Sequence, residues 1–224
     1  MTPLVIGVSP SGPVPSSSET VPPPDEPVVI ANALAIPLRD PRITHGGHRP
    51  RAVLVTEVQG LETLYAATPP ASPDRPLIAR RLADTYAELA RAAEGTSAAR
   101  SAHGSAAKYY EVLTTEYPQS ARLDEAYYYA ALEHEIAGDL TNARRSYYEL
   151  IKRHPSSKLV AFAYFAFGEM FFAEAANDPA KDQLAQHAFR EVLKYPPTEN
   201  ALYTEAQRRL AEIAMRGSAR PKPP

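Results

Sequence analysis

The stretch DEAYYYAALEHEIAGDLTNARRSYYELIKRHPSS, residues 124–157, decides the fold of this chain. Ala143, Tyr147 and Leu150 follow one another at intervals of four and three residues, which places them on one helical face. Pro155 then ends that helix, because proline removes a backbone donor and restricts the residue before it. The same spacing recurs at Ala106–Tyr110–Leu113–Pro118 and Ala185–Phe189–Val192–Pro197.

This internal repeat predicts the architecture. An apolar helix precedes each copy of the spacing, and two helices that cannot bury their faces alone must stack on their neighbours. The predicted helices cover residues 53–67, 77–93, 106–116, 124–137, 142–153, 160–174, 183–194 and 203–215. The sequence therefore predicts an all-α solenoid of about three helix–turn–helix repeats plus a C-terminal capping helix.

Prolines and apolar periodicity divide the chain into five parts. Residues 1–50 hold eleven of the 23 prolines and have no sustained period, so they predict a disordered Pro/Ser-rich tail. The alternative is that this tail is a ligand segment for an aromatic groove of a partner. An amphipathic helix over 51–67 and a Pro-rich linker over 68–76 precede the solenoid at 77–217, and a basic Pro-rich tail occupies 218–224.

Composition excludes several classes of function. The net charge is −2 and cysteine is absent, so a polyanion such as nucleic acid is not the expected partner and no thiolate site can form. No run reaches the roughly 18–20 apolar residues that span a bilayer. The N-terminal apolar runs lack a preceding positive charge, so no signal peptide is visible.

Residues 124–157 resemble one tetratricopeptide repeat (TPR), a helix–turn–helix motif of about 34 residues. The landmarks are Tyr127, Ala130-Ala131, Gly138-Asp139, Ala143, Tyr147 and Pro155, followed in the third repeat by Tyr164, Phe167-Gly168 and Phe171. The third repeat carries about five inserted residues and the first about eleven, relative to the motif. The resemblance covers roughly residues 76–216.

The tyrosine-rich helices and the run FAYFAFGEMFFAEA, residues 162–175, are similar to a narrower group, the bacterial cell-envelope TPR proteins. These are relatives of the outer-membrane-assembly lipoprotein and of the periplasmic coordinator of envelope constriction. The resemblance implies a scaffold in the periplasm or cell envelope. A cytoplasmic location is the alternative, since no signal peptide is visible.

The resemblance also separates core residues from groove residues. It implies a core that contains Tyr86, Tyr110, Tyr127, Tyr147, Tyr164, Phe167, Phe171 and Phe189. Gly168 is expected to let the paired helix approach closely. The groove positions of the family correspond to Tyr128, Leu132, Glu135, Phe162, Phe165, Glu169, Phe172, Arg80, Asp84, Arg208 and Glu212.

Core packing does not require the aromatic groove residues, so Phe162, Phe165 and Phe172 are expected to form an exposed stripe that binds an apolar peptide or helix. The alternative is that the N-terminal helix or the tail of the same molecule covers them. Two functions stay open: a non-catalytic scaffold that binds a partner protein, and a self-assembly module that forms a homo-oligomer.

An enzyme is the remote alternative, and no cofactor is implied. The close histidine pair His45 and His48 lies in the predicted tail without nearby carboxylates, and a metal site needs three or four ligands on a rigid frame. His134 occupies a packing position on its helix and is expected to be a partly buried structural residue. The sequence therefore predicts no catalytic residue and no metal site.

Overall fold

A computed structural model describes residues 36–43, 49–198 and 200–219. These residues form helices and no strand, which confirms the all-α class. The helices are α1 (Ile36–Arg39), α2 (Arg51–Ala67), α3 (Arg75–Ala92), α4 (Ser97–Glu116), α5 (Leu123–Ala137), α6 (Leu140–Arg153), α7 (Val160–Glu174), α8 (Lys181–Val192) and α9 (Tyr203–Ala219). From α2 onward, the main backbone contacts join helices that follow each other in the chain.

The tight joint between α5 and α6 follows from two residues. Gly138 closes α5 at φ 88°, a left-handed conformation that glycine adopts without a steric penalty. Asp139 then caps α6, because its carboxylate accepts a hydrogen bond from the backbone N–H of Asn142 at 3.1 Å. The two helices therefore lie against each other, and Tyr147 of α6 reaches Glu135 of α5.

Most predicted helices begin and end within two residues of their observed bounds. One exception is α4, which begins at Ser97 rather than near residue 106, so most of the predicted insertion is helical. Its start is fixed by Thr96, whose hydroxyl accepts a hydrogen bond from the N–H of Ala99 at 3.3 Å. At the other end of the chain, α9 extends past the predicted residue 215 to Ala219.

The predicted core is confirmed in part. Tyr110, Tyr147 and Phe189 are fully buried. The other five aromatic residues are only half-buried: Tyr86, Tyr127, Tyr164, Phe167 and Phe171. Much of the interior is instead filled by alanines of α3 to α7, whose small side chains let neighbouring helices approach closely.

Gly168 allows the close approach that the sequence predicted. A Cβ atom at this position would lie 2.4, 2.6 and 2.7 Å from three carbons of the Phe189 ring. Carbon atoms in contact are normally about 3.5–4.0 Å apart. The packing of α8 on α7 therefore depends on the missing side chain.

The predicted boundary of the disordered tail is wrong for residues 36–43. They contain α1, and Arg39 and Asp40 are buried against the helices that follow. The prediction rested on proline content and the lack of a sustained period, whereas this segment is held mainly by ion pairs, which neither of these indicates. The histidine pair at positions 45 and 48 lies outside the described residues. In the described part of the chain, no helix combines the length and apolarity that a bilayer span needs.

Candidate functional site

Residues 36–43, with the sequence IPLRDPRI, are here called the docked segment. Its shape follows from its sequence. The carbonyl of Asp40 accepts a hydrogen bond from the N–H of Ile43 at 3.0 Å, and its carboxylate accepts one from the N–H of Arg42 at 3.0 Å. Asp at the first position and Pro41 at the second are the residues that such a turn favours. The turn follows α1 directly and presents two arginines three residues apart.

Arg39 is held by a buried carboxylate of α5. Its two terminal nitrogens donate to the two oxygens of Glu135 at 2.9 and 2.6 Å, which is the paired geometry of a strong ion pair. Neither side chain is more than 1% exposed. Burial opposes the charge of Arg39 and is the largest single effect. The attraction and hydrogen bonds of Glu135, together with smaller contributions from Tyr147 and Tyr128, outweigh it and raise the pKa of the guanidinium.

Two tyrosines complete the contacts around Arg39. The hydroxyl of Tyr147 donates to Glu135 Oε2 at 2.9 Å, and the hydroxyl of Tyr128 donates to the backbone carbonyl of Arg39. Burial, followed by the charge of Glu135, raises the pKa of Tyr147 well above its ordinary value. The two hydroxyls therefore stay protonated and act as donors.

Arg42 is bound by a second buried carboxylate and by aromatic rings. It donates to Glu133 Oε1 at 2.5 Å and to the hydroxyl of Tyr110 at 3.1 Å. Its guanidinium carbon lies 4.3 Å from the ring centre of Tyr129, within the range of a cation–π contact. The carboxylate of Asp40 also accepts two hydrogen bonds from it, at 2.8 Å each.

Glu133 has a second partner, His103 of α4, whose Nδ1 lies 2.5 Å from its Oε2. Burial by itself would raise the pKa of this carboxyl. The attraction of Arg42 and the hydrogen bond from His103 together outweigh burial, so that the pKa of Glu133 is lowered. Glu133 is therefore ionised at neutral pH although it is fully buried.

The two carboxylates lie on different sides of α5. Glu133 and Glu135 are two residues apart, which is about 200° around a helix. Accordingly, Glu133 bonds to His103 of α4, while Glu135 bonds to Tyr147 of α6. The docked segment therefore crosses α5, with Arg39 on the side of α6 and Arg42 on the side of α4. We call Glu133, Glu135 and the four tyrosines that contact these arginines or their carboxylates, Tyr110, Tyr128, Tyr129 and Tyr147, the arginine site.

The structure brings two predicted groove residues to the docked segment, namely Tyr128 and Glu135. A third, Asp84, accepts a hydrogen bond from Tyr110 of the arginine site. Leu132 is fully buried within the core. Arg80 donates to the carbonyls of residues 121 and 122, which precede α5.

The expectation of an exposed aromatic stripe is wrong. Phe165 is fully buried, and its ring centre lies 5.4 Å from that of Phe189. Phe162 is half-buried and packs edge-on against Tyr128, at 6.1 Å between ring centres. Phe172 is half-buried under Arg216 of α9, whose guanidinium carbon lies 4.1 Å from the ring centre.

The helix α9 covers the same face of α7 through charged groups. Arg209 donates to the two oxygens of Glu169 at 2.6 and 2.9 Å, and Glu169 is 1% exposed. Arg208 and Glu212, the other predicted groove residues, pair with each other within α9. This part of the predicted groove is thus filled by the last helix of the same chain.

Sequence reasoning missed Arg39, Arg42, Glu133 and His103. A signal was present, because Arg39, Asp40 and Arg42 place three charges within four residues of a tail that is otherwise poor in charge. Glu133 and Glu135 on a helix rich in alanine and tyrosine were the matching signal. His134 is partly buried as expected, with its Nε2 3.2 Å from Glu111.

The chemistry of the arginine site is recognition of guanidinium groups by carboxylates and aromatic rings. Within residues 36–43, 49–198 and 200–219, no group of three or more acidic or histidine side chains is placed to hold a metal ion. Comparison of this chain with models of protein families, with curated proteins and with solved structures gave no match.

Proposed function

We propose that this chain is a non-catalytic protein–protein interaction scaffold that binds a peptide segment of a partner. In this proposal the helices form a TPR-like solenoid of about three repeats with a capping helix, and the arginine site lies in its groove. The observation that carries the proposal is the docked segment, in which Arg39 binds Glu135 across 96 residues of sequence.

The docked segment behaves like a peptide ligand in its contacts. Its helix α1 has four residues, too few to be stable alone, and its arginines are held by side chains of the arginine site. Recognition by side-chain pockets along a short linear segment is how peptide-binding domains work. A surface that holds one such segment can hold another of the same chemistry.

Two further observations support a TPR-like groove. The main backbone contacts of the described helices follow chain order, as they do in solenoids. Tyr128 and Glu135 occupy positions that the family resemblance assigns to the groove, and both contact the docked segment. The alternative function, self-assembly, would require the segment of one copy to occupy the arginine site of another.

The test is a selection of random displayed peptides on the full-length chain and on its Arg39→Gln/Arg42→Gln variant. We expect peptides to be enriched on the double variant and to bind at the arginine site. Their binding should fall on Glu135→Gln in the same background and stay unchanged on Glu116→Gln, which removes an exposed carboxylate of α4. The scaffold proposal is wrong if neither chain enriches a peptide, or if binding ignores Glu135.

A further inference from the structure

We infer that the arginine site selects partner segments that carry two arginines three residues apart, and that the docked segment is its built-in competitor. This inference rests on the proposed function and adds the chemistry of the partner and the regulation of the site. It requires three things of the structure: a charge that the partner must supply, a geometry that only arginine satisfies, and a tether that favours the resident segment.

The charge requirement comes from Glu135. Among the described residues, its only ion-pair partner is Arg39. When the docked segment leaves, the remaining polar contact that we observe is the hydroxyl of Tyr147, which carries no positive charge. A buried carboxylate is costly without a cation, so an incoming segment must bring one. Glu133 retains His103, but it too loses its arginine.

The geometry requires arginine rather than lysine. Arg39 uses two parallel hydrogen bonds to Glu135, and Arg42 combines a hydrogen bond to Glu133 with stacking on Tyr129. A planar guanidinium can make both arrangements, whereas an ammonium is a point charge and cannot. Because the two carboxylates lie on different sides of α5, the arginines must be separated by a turn. Asp40-Pro41 supplies that turn here, so the pattern sought in a partner is Arg-x-Pro-Arg or its equivalent.

The tether follows from the position of the docked segment in the chain. Arg49, six residues after Ile43, is fixed by Glu88 at 2.9 and 2.6 Å and by Glu57. The docked segment is therefore always close to the arginine site. Short tethers give effective concentrations on the order of millimolar, so a free peptide that binds with a Kd of about 10 µM would be weakened about 100-fold.

The experiment uses full-length chains and a fluorescein-labelled peptide with the sequence LAIPLRDPRI, residues 34–43. Fluorescence anisotropy is measured on the wild type, on Arg39→Gln/Arg42→Gln, and on that variant with Glu133→Gln and Glu135→Gln added. The matched control is Arg100→Gln/Lys108→Gln, which removes two positive charges from exposed positions of α4. Circular dichroism verifies that each chain keeps its helices.

We expect the double variant to bind the peptide about 100-fold more tightly than the wild type and the control. The two glutamate substitutions should abolish this binding, and a peptide with lysine at both arginine positions should bind at least about tenfold more weakly. Equal affinity of the double variant and the wild type would overturn the competitor role. Equal affinity of the arginine and lysine peptides would overturn the selectivity.

A second measurement does not depend on how the variants fold. Hydrogen–deuterium exchange of the wild type is followed with and without about 10 mM unlabelled peptide, an excess over the effective concentration of the tether. Displacement should speed exchange at residues 36–43 and leave α8 unchanged. Unchanged exchange of residues 36–43 at that concentration contradicts the inference.

The failure of this inference is distinguishable from that of the proposed function. If the peptides enriched on the double variant lack paired arginines, the scaffold proposal stands and the inferred selectivity for paired arginines is wrong. If no peptide is enriched, both the scaffold proposal and the inferred selectivity are wrong. Sedimentation velocity adds a further outcome: a wild-type dimer that becomes a monomer in the double variant would show that the segment links two copies, which overturns the competitor role.

Discussion

The substitution Gly168→Ala adds a single methyl group and so tests how closely α8 packs on α7. The added Cβ would lie 2.4–2.7 Å from three ring carbons of Phe189, which is fully buried and cannot turn into solvent. Overpacking of this kind costs about 1–3 kcal/mol. The better helix propensity of alanine returns about 1 kcal/mol. The three simultaneous clashes place the overpacking cost at the upper end, so we expect a net loss of about 2 kcal/mol in the free energy of unfolding.

Gly104→Ala is the matched control for this prediction. Gly104 lies in the exposed face of α4, and nothing lies within 4 Å of the position its Cβ would take. Here only the propensity term applies, so the variant should be more stable by about 1 kcal/mol. In thermal unfolding by circular dichroism, each kcal/mol shifts the Tm by about 2–4 °C in a chain of this size. The two variants should therefore melt about 6–12 °C apart.

A double-mutant cycle assigns the loss to the ring. Phe189→Leu creates space beside Gly168 and is destabilising on its own, but in the Gly168→Ala background the smaller side chain should relieve the clash. We expect a favourable coupling of about 0.5–3 kcal/mol. If Gly168→Ala melts like Gly104→Ala, or if the cycle shows no coupling, the close approach of α7 and α8 is wrong.

Three further predictions concern the buried polar and aromatic groups. Tyr147→Phe should lower the free energy of unfolding by about 1–3 kcal/mol, because the buried Glu135 loses a hydrogen-bond donor. Urea titration measures this loss. A variant as stable as the parent would contradict the hydrogen bond between Tyr147 and Glu135. Phe165→Ala should cost about 3–5 kcal/mol by the same titration, and a negligible loss would mean that the ring is exposed after all. Glu133 has a pKa below its ordinary 4.5 in the folded chain, so its contribution to stability is present above pH 4.5 and disappears as the pH falls through the lowered pKa. The difference in Tm between the wild type and Glu133→Gln should therefore shrink as the pH falls below 4.5, and a constant difference would contradict the ion pair.

The helices were predictable because their signals are local. The spacing of Ala143, Tyr147 and Leu150 depends only on residues within one helix, and Gly138 ends α5 through its own backbone conformation. The close approach at Gly168 was also predictable, because only a missing side chain lets two helices come so near.

The burial of each face was less predictable, because it depends on elements far away in the sequence. From its position on α7 alone, Phe165 was expected to be exposed, but Phe189 of α8 covers it. Glu169 was likewise expected to bind a partner, but Arg209 of α9 binds it in the same chain. A register along one helix shows which residues share a face, but not which later helix packs on that face.

The docked segment could not be predicted from the sequence for a different reason. A prediction of disorder from proline content and missing periodicity leaves out ion pairs, and the ion pair of Arg39 forms with a residue 96 positions away. No periodicity or spacing in the sequence predicts that Arg39 pairs with Glu135. The sequence could indicate an unusual cluster of charge at residues 39–42, but not the helix to which it binds.

The separation of Arg39 from Glu135 also sets the order of events during synthesis. A ribosome that adds about 5–20 residues per second needs about 5–20 s to make the chain between them. The contacts of α2 to α4 join chain neighbours, so those helices can pack as they emerge. The docked segment is made before them all, yet its arginines must wait until α5 and α6 have left the ribosome. During each round of translation, the arginines of the docked segment are therefore made well before Glu133 and Glu135, the buried carboxylates that bind them.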